Sequence, residues 1–359
     1  MKHSLKWNRN KTTRNNFITY GVVILAYVIM QIMSSADALS STMEGLLVPI
    51  CAYVVMAISL NLTVGVLGEL SLGHAGFMSV GAFTGTTVAI MLQDVVPSGG
   101  LRLLIAVVVA TLFGALAGFL IGIPVLRLQG DYLAIVTLAF GEIIKGIFNN
   151  LYVGVDSSGL HMSLISDKTN LAEDGEMIIG GPMGLETIPR ESNFTAGVIL
   201  VIITLIVVFH LVNSRSGRAI MAVRDNRIAA ESVGINVTAF RLKAFVVSAF
   251  LAGMAGALYG LNYSSLTASK FNFNTSINIL VFVVLGGMGN ILGSIISATV
   301  LYILPEAMRG LQDYRMILYA VVLIVVMLFT WSPKVKEAMS VVTDKLAGAF
   351  KKKEAGSNE

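Results

Sequence analysis

The sequence predicts an all-α, polytopic integral membrane protein of about ten transmembrane helices, some with glycine-broken segments. Three observations carry that expectation. Of the 359 residues, 55% are hydrophobic and 13% charged, with a mean hydropathy of +0.79. A soluble domain carries about 25% charged residues, so lipid is the solvent for most of this chain. The apolar residues fall in repeated runs, each close to the ~20 residues that cross a bilayer core as a helix. Lys and Arg, by contrast, collect in three places between or beyond those runs.

A basic segment, 1–16, opens the chain with Lys2, Lys6, Arg9, Lys11 and Arg14, ahead of a first apolar run at 17–33. Ala36-Asp37-Ala38 follows, in the manner of a secretory signal with its cleavage site. The run is long for the apolar core of a signal, and an uncleaved first span is expected. Further spans are read at 45–66, 71–92, 101–123, 132–151, 194–213, 240–263, 276–290, 291–309 and 315–331, which makes 17–331 the membrane domain. The stretches 71–92, 132–151 and the division near 290 contain glycine clusters or charge. The single cysteine, Cys51, lies inside a span, so no disulfide forms within the chain, and the residue reads as a small buried apolar group.

Basic loops mark the cytoplasmic side of a membrane protein. The N-terminal segment, the segment 214–239 and a Lys-rich tail at 332–359 are all basic. An even number of spans places all three inside; ten satisfies this, and so does eight. The loop 152–193 then falls outside. It holds Asp156, Asp167, Glu173, Asp174, Glu176, Glu186 and Glu191 against Lys168 and Arg190. A loop this long reads as a solvated hairpin or short helix packed on the outer face, or as a docking surface for an external partner. The tail, amphipathic from Trp331 and then rich in Lys, reads as an interfacial helix with a disordered end.

Many of the 35 glycines lie inside apolar runs. Gly114, Gly118 and Gly122 recur every four residues, as do Ala252, Gly256 and Gly260, and Gly289 follows the same spacing to Gly293. Small residues four apart share a helix face and let two backbones approach closely. Two clusters differ: Glu69-Leu-Ser71-Leu-Gly-His74-Ala-Gly-Phe77 and Leu285-Gly286-Gly287-Met-Gly-Asn290. Breaks of this kind at membrane depth free backbone groups that need a protein partner or a cavity. In transporters they mark the transport path when they occur in pairs. Glu69 and His74 flank the first break; Glu142 and Lys145 lie three apart on one helix face and can pair. Both pairs are candidates for function within the membrane, or for side chains that reach the interface.

Catalysis finds no support. No G-x-x-x-x-G-K-[ST] phosphate loop occurs, and Gly287-Met-Gly289-Asn-Ile-Leu-Gly293 has the wrong spacing for a dinucleotide site. His3, His74, His161 and His210 are too scattered for metal ligation. No cofactor, metal or catalytic residue is therefore expected in this chain. The basic segments alone would permit nucleic-acid binding, but topology explains the same residues, and no nucleic-acid partner is expected.

The most informative stretch is Arg215-Ser-Gly-Arg218 followed by Arg224-Asp225-Asn-Arg227-Ile228-Ala229-Ala230-Glu231-Ser-Val-Gly234-Ile-Asn236. This amphipathic, Arg-rich piece lies between two membrane-length runs, at the membrane face, where a soluble partner can press on it. It points to a transporter that another protein drives. Ile228, Val233 and Ile235 would insert into a groove of that partner, with Arg224, Asp225, Arg227 and Glu231 at the rim. The alternative is an ordinary basic loop that only enforces topology.

Four separated motifs, spread over about 20–330, resemble one known family. Ser71-Leu-Gly-His-Ala-Gly-Phe77 with Gly81-Ala-Phe83 is similar to its S-L-G-H-x-x-F…G-A-Y pattern, with Phe83 in place of Tyr. Gly130-Asp-Tyr-Leu-Ala-Ile-Val-Thr137-Leu, Gly217-Arg-Ala219…Ala229-Ala230…Gly234-Ile-Asn236, and Ser276-Ile277…Val284-Leu-Gly-Gly-Met-Gly289 resemble its other signatures. The family is that of the permease subunits of branched-chain amino acid ABC importers, LivM-type.

The resemblance implies a second, similar permease subunit, two cytoplasmic ABC ATPases that bind ATP and Mg, and an extracytoplasmic solute-binding protein, with lipid around the pore. It implies an ATPase-coupling segment at Arg224, Asp225, Arg227, Ile228, Ala229, Ala230, Glu231 and Gly234. It also implies a translocation path near Glu69, Ser71, His74, Phe77, Thr137, Gly286 and Gly287. Closure of the ATPases would pull on a 224–236 helix and tilt the spans beside it. The importer coupling pattern reads E-A-A-x-x-x-G; here Ile228 stands at the Glu position, and Asp225 or Glu231 would have to take the salt-bridging role. Thr267-Ala-Ser-Lys270 precedes Phe271-Asn-Phe273 where the family often has Pro. Leucine, isoleucine and valine are the implied cargo. Urea, short amides and other amino acids are served by similar permeases, and simple sugars and nucleosides by more distant ones. An ion-coupled secondary transporter is the reading from another class, but acidic residues do not recur through several spans as it requires.

Overall fold

The computed structural model describes residues 2–36, 38–93, 95–128, 130–156, 159–164 and 175–308, together with 317, 320, 321, 323 and 324. Among these the apolar runs become helices in chain order: α1 (Lys2–Ser35), α2 (Ser41–Asn61), α3 (His74–Met91), α4 (Gly99–Val125), α5 (Asp131–Asn150) and α6 (Phe194–Asn213). Two short helices follow, α7 (Arg215–Asp225) and α8 (Arg227–Ser232), then α9 (Val237–Gly260), α10 (Phe273–Gly286) and α11 (Ile291–Ala307). The chain forms two compact units, Met1–Val300 and Leu301–Glu359. Every contact described below belongs to the first; the second begins with the last residues of α11.

Six helical stretches among the described residues are long and apolar enough to cross a membrane: Asn16–Ser35, Ser41–Leu67, Gly99–Val125, Phe194–Asn213, Val237–Gly260 and Ala268–Gly286. The expectation of about ten is thus met by six on these grounds. α3 and α5 occupy two more of the expected positions as helices without reaching that mark, and α11 is a shorter apolar helix of 17 residues. α3 is rich in Gly and Thr, yet most of it is buried by its neighbours, so it has little lipid to face. α5 carries Asp131, Glu142 and Lys145. The tenth expected span, 315–331, lies outside the described residues except for 317, 320, 321, 323 and 324, which are helical. The tail 332–359 also lies outside them.

Packing follows the small residues. α9 lies against both α3 and α4. The face of α4 that carries Gly114 and Gly118 meets Ala249 and Gly253 of α9; Gly122 meets Leu242 and Phe245. Gly81 of α3 also meets Gly253, and Gly256 meets Met78 and Ala82. The opposite side of α4 presents Leu104, Val108, Leu112, Leu116 and Leu120 outward. Its outer side is therefore more apolar than its packed side. Such an arrangement suits lipid, where shape rather than hydrophobicity draws helices together. α1 lies along α6, with Tyr20 against Phe209 and Tyr27 against Phe194. α2 is buried almost all round, as expected for a helix enclosed by others.

A purely helical chain is not what forms. In the loop 152–193, β1 (Tyr152–Asp156), β2 (Gly159–Ser163) and β3 (Glu176–Gly180) make an antiparallel sheet in the order β2-β1-β3. Residues 165–174 of the loop, with Asp167, Lys168, Glu173 and Asp174, lie outside the described residues. Leu185 is buried and bridges to Leu266, and the Ser192 N–H donates to the Leu261 carbonyl, which fixes the loop to the end of α9. Arg102, in the first turn of α4, forms an ion pair with Glu191 just before α6.

The close α4–α9 contact gives a test. Gly253→Leu places a side chain against the backbone of Ala110 and Gly114, whereas Gly146→Leu on α5 meets open space. Overpacking of this kind costs about 1–3 kcal/mol. In detergent-solubilised protein, G253L is expected to lower the Tm by several degrees and G146L to leave it unchanged; equal melting of the two would refute the tight α4–α9 seam.

Candidate functional site

The two glycine breaks meet. After Asn61 the backbone of α2 loosens into a π-helical turn, Leu62–Leu67, which ends at Gly68 in a left-handed conformation (φ +82°). The widened turn brings Gly65 against the backbone of Gly289. Asn61, 1% exposed, holds the junction with its amide: Nδ2 donates to the Asn290 carbonyl at 3.1 Å and to Ser294 Oγ at 2.7 Å, while Oδ1 accepts the Gly289 N–H at 2.7 Å. One side chain thus serves the Gly289 N–H, which the second break leaves outside any helix, and adds a donor to the Asn290 carbonyl, which also accepts the Ser294 N–H at 3.1 Å. Gly286 packs on Gly293, and Gly287 and Gly289 both adopt positive φ (+90° and +83°), which closes α10 and α11 into a tight corner.

The first break is held from three other sides. His74 Nε2 and Ser59 Oγ share a hydrogen bond of 2.6 Å, and Ser248 of α9 donates to the Ser59 carbonyl at 2.6 Å. The Leu72 N–H donates to Thr137 Oγ1 of α5 at 3.1 Å, and Gly73 lies on the Thr137 carbonyl. The Ala75 N–H donates to Ser276 Oγ of α10 at 3.1 Å. Phe77 packs edge-on between His74 and Phe245. Ser71, His74, Phe77 and Thr137 are all buried, and Ser71 Oγ is buried with no hydrogen-bond partner. Five of the residues named for a path (Ser71, His74, Phe77, Thr137, and Glu69 at its end) therefore surround one break, and Gly286 and Gly287 form the other.

Glu69 and His74 are held by different partners. Glu69 turns to the end of the bundle and pairs with Arg241, at the start of α9. Arg241 is buried and also donates to the carbonyls of Leu126 (2.6 Å) and Leu128 (3.2 Å) beyond α4. Burial raises the Glu69 carboxyl above its ordinary pKa, while the hydrogen bond and charge of Arg241 pull it the other way. Arg241 ties three segments together. Glu142 and Lys145 do pair, at 2.9 Å, and Glu142 Oε1 accepts the Phe273 N–H.

At this same end lies the Arg-rich segment, which is not one helix over 224–236. Asn226 leaves helical geometry (φ −158°, ψ 106°), separates α7 from α8, and caps α8 by accepting the Ala229 N–H. A turn through Gly234 (φ +83°) leads to Asn236, which caps α9 in the same way. Ala230 is buried and packs with Val223, Val237 and Ile235. Ile235 is thus part of the segment's own core and not a free knob. Ile228 and Val233, at 80% and 75% exposed, project outward, and Ala229 is exposed beside them. Arg227 pairs with Glu231 at 3.2 Å. Arg224 pairs with Asp225 at 2.9 Å and donates from Nη1 to the Gly65 carbonyl at 3.0 Å. That last bond connects the segment to the π turn, and through it to Gly289. Among the described residues no group of three His, Cys, Asp or Glu side chains comes together to hold a metal.

Comparison with known proteins places the chain among permeases. The family described as branched-chain amino acid transport system, permease component, matches residues 42–329. The LivM permease protein of the high-affinity branched-chain amino acid transport system of Salmonella typhimurium is 33% identical over 325 residues, 87% of this chain and 72% of that one. Its counterpart LivM in Escherichia coli K12 is 34% identical, over 79% of this chain and 67% of the relative. LivH, a further permease protein of that system in the same bacterium, is 24% identical over 77% and 88%. Other relatives, at 24% and 26%, bear names for nucleoside and fructose import.

Removing one partner of a buried ion pair costs about 3–5 kcal/mol because it strands the other charge. Arg241→Met is expected to destabilise the chain by about 3 kcal/mol on that ground. Glu69→Leu combined with Arg241→Met should recover part of the loss, since only the Leu126 and Leu128 carbonyls then lack their donor. Thermal melts of the single and double variants check this; equal losses would show that the pair contributes nothing.

Proposed function

This chain belongs to the branched-chain amino acid transport system permease component family, and from that membership we propose that it is one of two permease subunits of an ATP-driven importer for leucine, isoleucine and valine. The observation that carries the reading is the build of α7 and α8. Their inner side is locked by Val223, Ala230, Ile235 and Val237, yet Ile228 and Val233 are left bare. A short helix with one bare aliphatic side chain on it and another just past its end is suited to seat in a groove of a soluble protein. In an importer of this family that protein is the ATPase. The partner permease is supported by LivM and LivH, two permease proteins named for one system. An outer binding protein completes the assembly in this reading, with ATP and Mg held by the ATPases.

Orientation follows from charge. Arg215, Arg218, Arg224, Arg227 and Lys243 stand at the end that holds α7 and α8, and we place that end and both termini in the cytoplasm. The sheet then faces outward, where a binding protein can dock. Ten spans remain the proposed count, with α3, α5, α11 and 315–331 joining the six apolar ones; α3 can cross because protein encloses it.

Coupling runs through named contacts. Motion of the docked ATPases shifts α7 and α8; Arg224 carries the shift to the Gly65 carbonyl; the π turn moves against Gly289; and Asn61 passes it to α10 and α11. A π turn is a natural site for such movement, since its hydrogen-bond register is already irregular. The buried polar groups around His74, Ser71 and Thr137 would line the route that opens between this subunit and its partner. A neutral zwitterion needs no strong charge along that route. Ile228, where an importer pattern has Glu, makes the contact with the ATPase apolar, and Glu231 is already engaged by Arg227.

Several measurements test this. Ile228→Asp with Val233→Asp is expected to abolish co-purification of a P-loop ATPase and uptake of labelled leucine while leaving the fold intact. Arg224→Gln should keep the ATPase bound but slow uptake about tenfold, within the range of typical coupling energies. A cysteine at Ala229 should react with an impermeant maleimide in inside-out vesicles and not in intact cells; the reverse would refute the orientation. Uptake of fructose or a nucleoside in place of leucine would overturn the cargo.

A further inference from the structure

One ion pair stands where lipid cannot serve it. α5 starts at Asp131, just past Leu128, whose carbonyl Arg241 holds at the end of the bundle that carries α7 and α8. It finishes at Asn150, beside the sheet. Glu142 lies eleven residues into the helix, about 16 Å at 1.5 Å per residue, against a hydrocarbon core about 30 Å thick. Lys145 pairs with it at 2.9 Å, yet the Glu142 side chain is 43% exposed and that of Lys145 25%. Glu142 borders the open side of α5, where Ile135, Ala139, Ile143 and Ile147 recur every four residues, all exposed.

Charge at this depth faces protein or water, not acyl chains. Glu142 is too short to reach either interface, and its Oε1 is held by the Phe273 N–H at 3.2 Å. A protein surface pressed over the pair would strip water from both ions, which their attraction repays only if further polar groups meet them. A water-lined path leaves them solvated. The first glycine break is next door, since Gly141 packs on Gly73 and Gly76. Among the described residues Lys145 makes one hydrogen bond, to Glu142, so two of its three N–H donors remain for a ligand. No atom lies within 4 Å of where a Cβ on Gly146 would be, which leaves space beside the pair.

Resting on the importer reading, we propose that Glu142 and Lys145 bind the charged ends of a zwitterionic α-amino acid as it passes, its ammonium donating to Glu142 and its carboxylate accepting from Lys145. Such a cargo carries both charges on one carbon. It can lie against the pair head to tail without parting it, so that each ion meets two of opposite sign. The pair has no net charge and keeps the route neutral. The aliphatic side chain of the cargo lies over Gly146, against Ile143 and Ile147. A sugar or a nucleoside has neither an ammonium nor a carboxylate and gains nothing there, so the pair adds selectivity within the membrane.

Two measurements on the importer, purified with its partner subunits and placed in proteoliposomes, test the site. Glu142→Gln with Lys145→Met keeps the shape and an acceptor for the Phe273 N–H but removes both charges. A pair with only a structural role tolerates such a double replacement. Here uptake of labelled leucine is expected to fall about tenfold or more, with the Tm and the recovery of partner subunits unchanged. Leucine uptake that survives the double change overturns this site alone; an unaltered chain that takes up no leucine overturns the importer reading as well. The second measurement does not depend on that variant. The native Cys51 is buried, so Gly146→Cys adds an accessible thiol to this chain. During turnover it is expected to react with a charged, water-soluble methanethiosulfonate, and more slowly when leucine is in excess. An inert thiol, covered by lipid or by a partner subunit, would overturn the proposal, and so would a rate that leucine leaves unchanged.

Discussion

Hydrocarbon offers a backbone group nothing to bond with, and this fold breaks two of its helices nonetheless. The Asn61 amide is what permits it. It answers the Gly289 N–H and the Asn290 carbonyl together and adds Ser294, so the corner between α10 and α11 is closed from a neighbouring helix. Asn61 also stands at the last α-helical position before the backbone of α2 widens. The irregular part of α2 and the irregular corner after α10 are therefore one structure, joined at a single side chain. Glycine at 65 allows the two backbones to touch.

From that joint the rest of the site takes its form. Arg224 reaches the same π turn from α7, and Glu69, two residues past it, is held by Arg241. The end of the bundle that carries α7 and α8 is therefore braced to the breaks by two arginines of different kinds. One is buried and fixed by three acceptors; the other is half in water, with one bond to a turn. A rigid brace and a looser tie side by side are suited to a segment that must move as a unit without unravelling the helices it moves.

Much of this was readable from residue order. Helices stand where apolar runs of sufficient length stand, because length and hydropathy are local properties. The Gly114–Gly118–Gly122 and Ala252–Gly256–Gly260 spacings foretold close helix seams, since a four-residue repeat fixes a face. Glu142 and Lys145 pair because three residues along a helix places them together. What stayed hidden depends on partners far away in the chain. Asn61 lies in an apolar run and is linked to residues more than two hundred positions on. Arg241 reads as one more cytoplasmic cation until Leu126, Leu128 and Glu69 are seen around it. The loop 152–193 reads as a hairpin or a short helix; its third strand and the order β2-β1-β3 stayed hidden because the strands are five residues each, set in an acidic loop, and find their order only on folding. Ile235 looked like Ile228 and Val233 in pattern; only the turn at Gly234 sends it inward.

That turn has a consequence for how the segment tolerates change. No atom lies within 4 Å of where a Cβ on Gly234 would be, yet φ is +83°. The position has room for a methyl group but not the torsion for one: the cost of alanine there, of order 1 kcal/mol or more, comes from the residue's own backbone and not from any neighbour. No repacking nearby can relieve it, because nothing nearby causes it. Asparagine, which accepts left-handed geometry more readily, is the one replacement the geometry favours. Second-site suppressors of a Gly234 change should accordingly be rare, while those of Gly253, whose restriction is set by surrounding atoms, should be common.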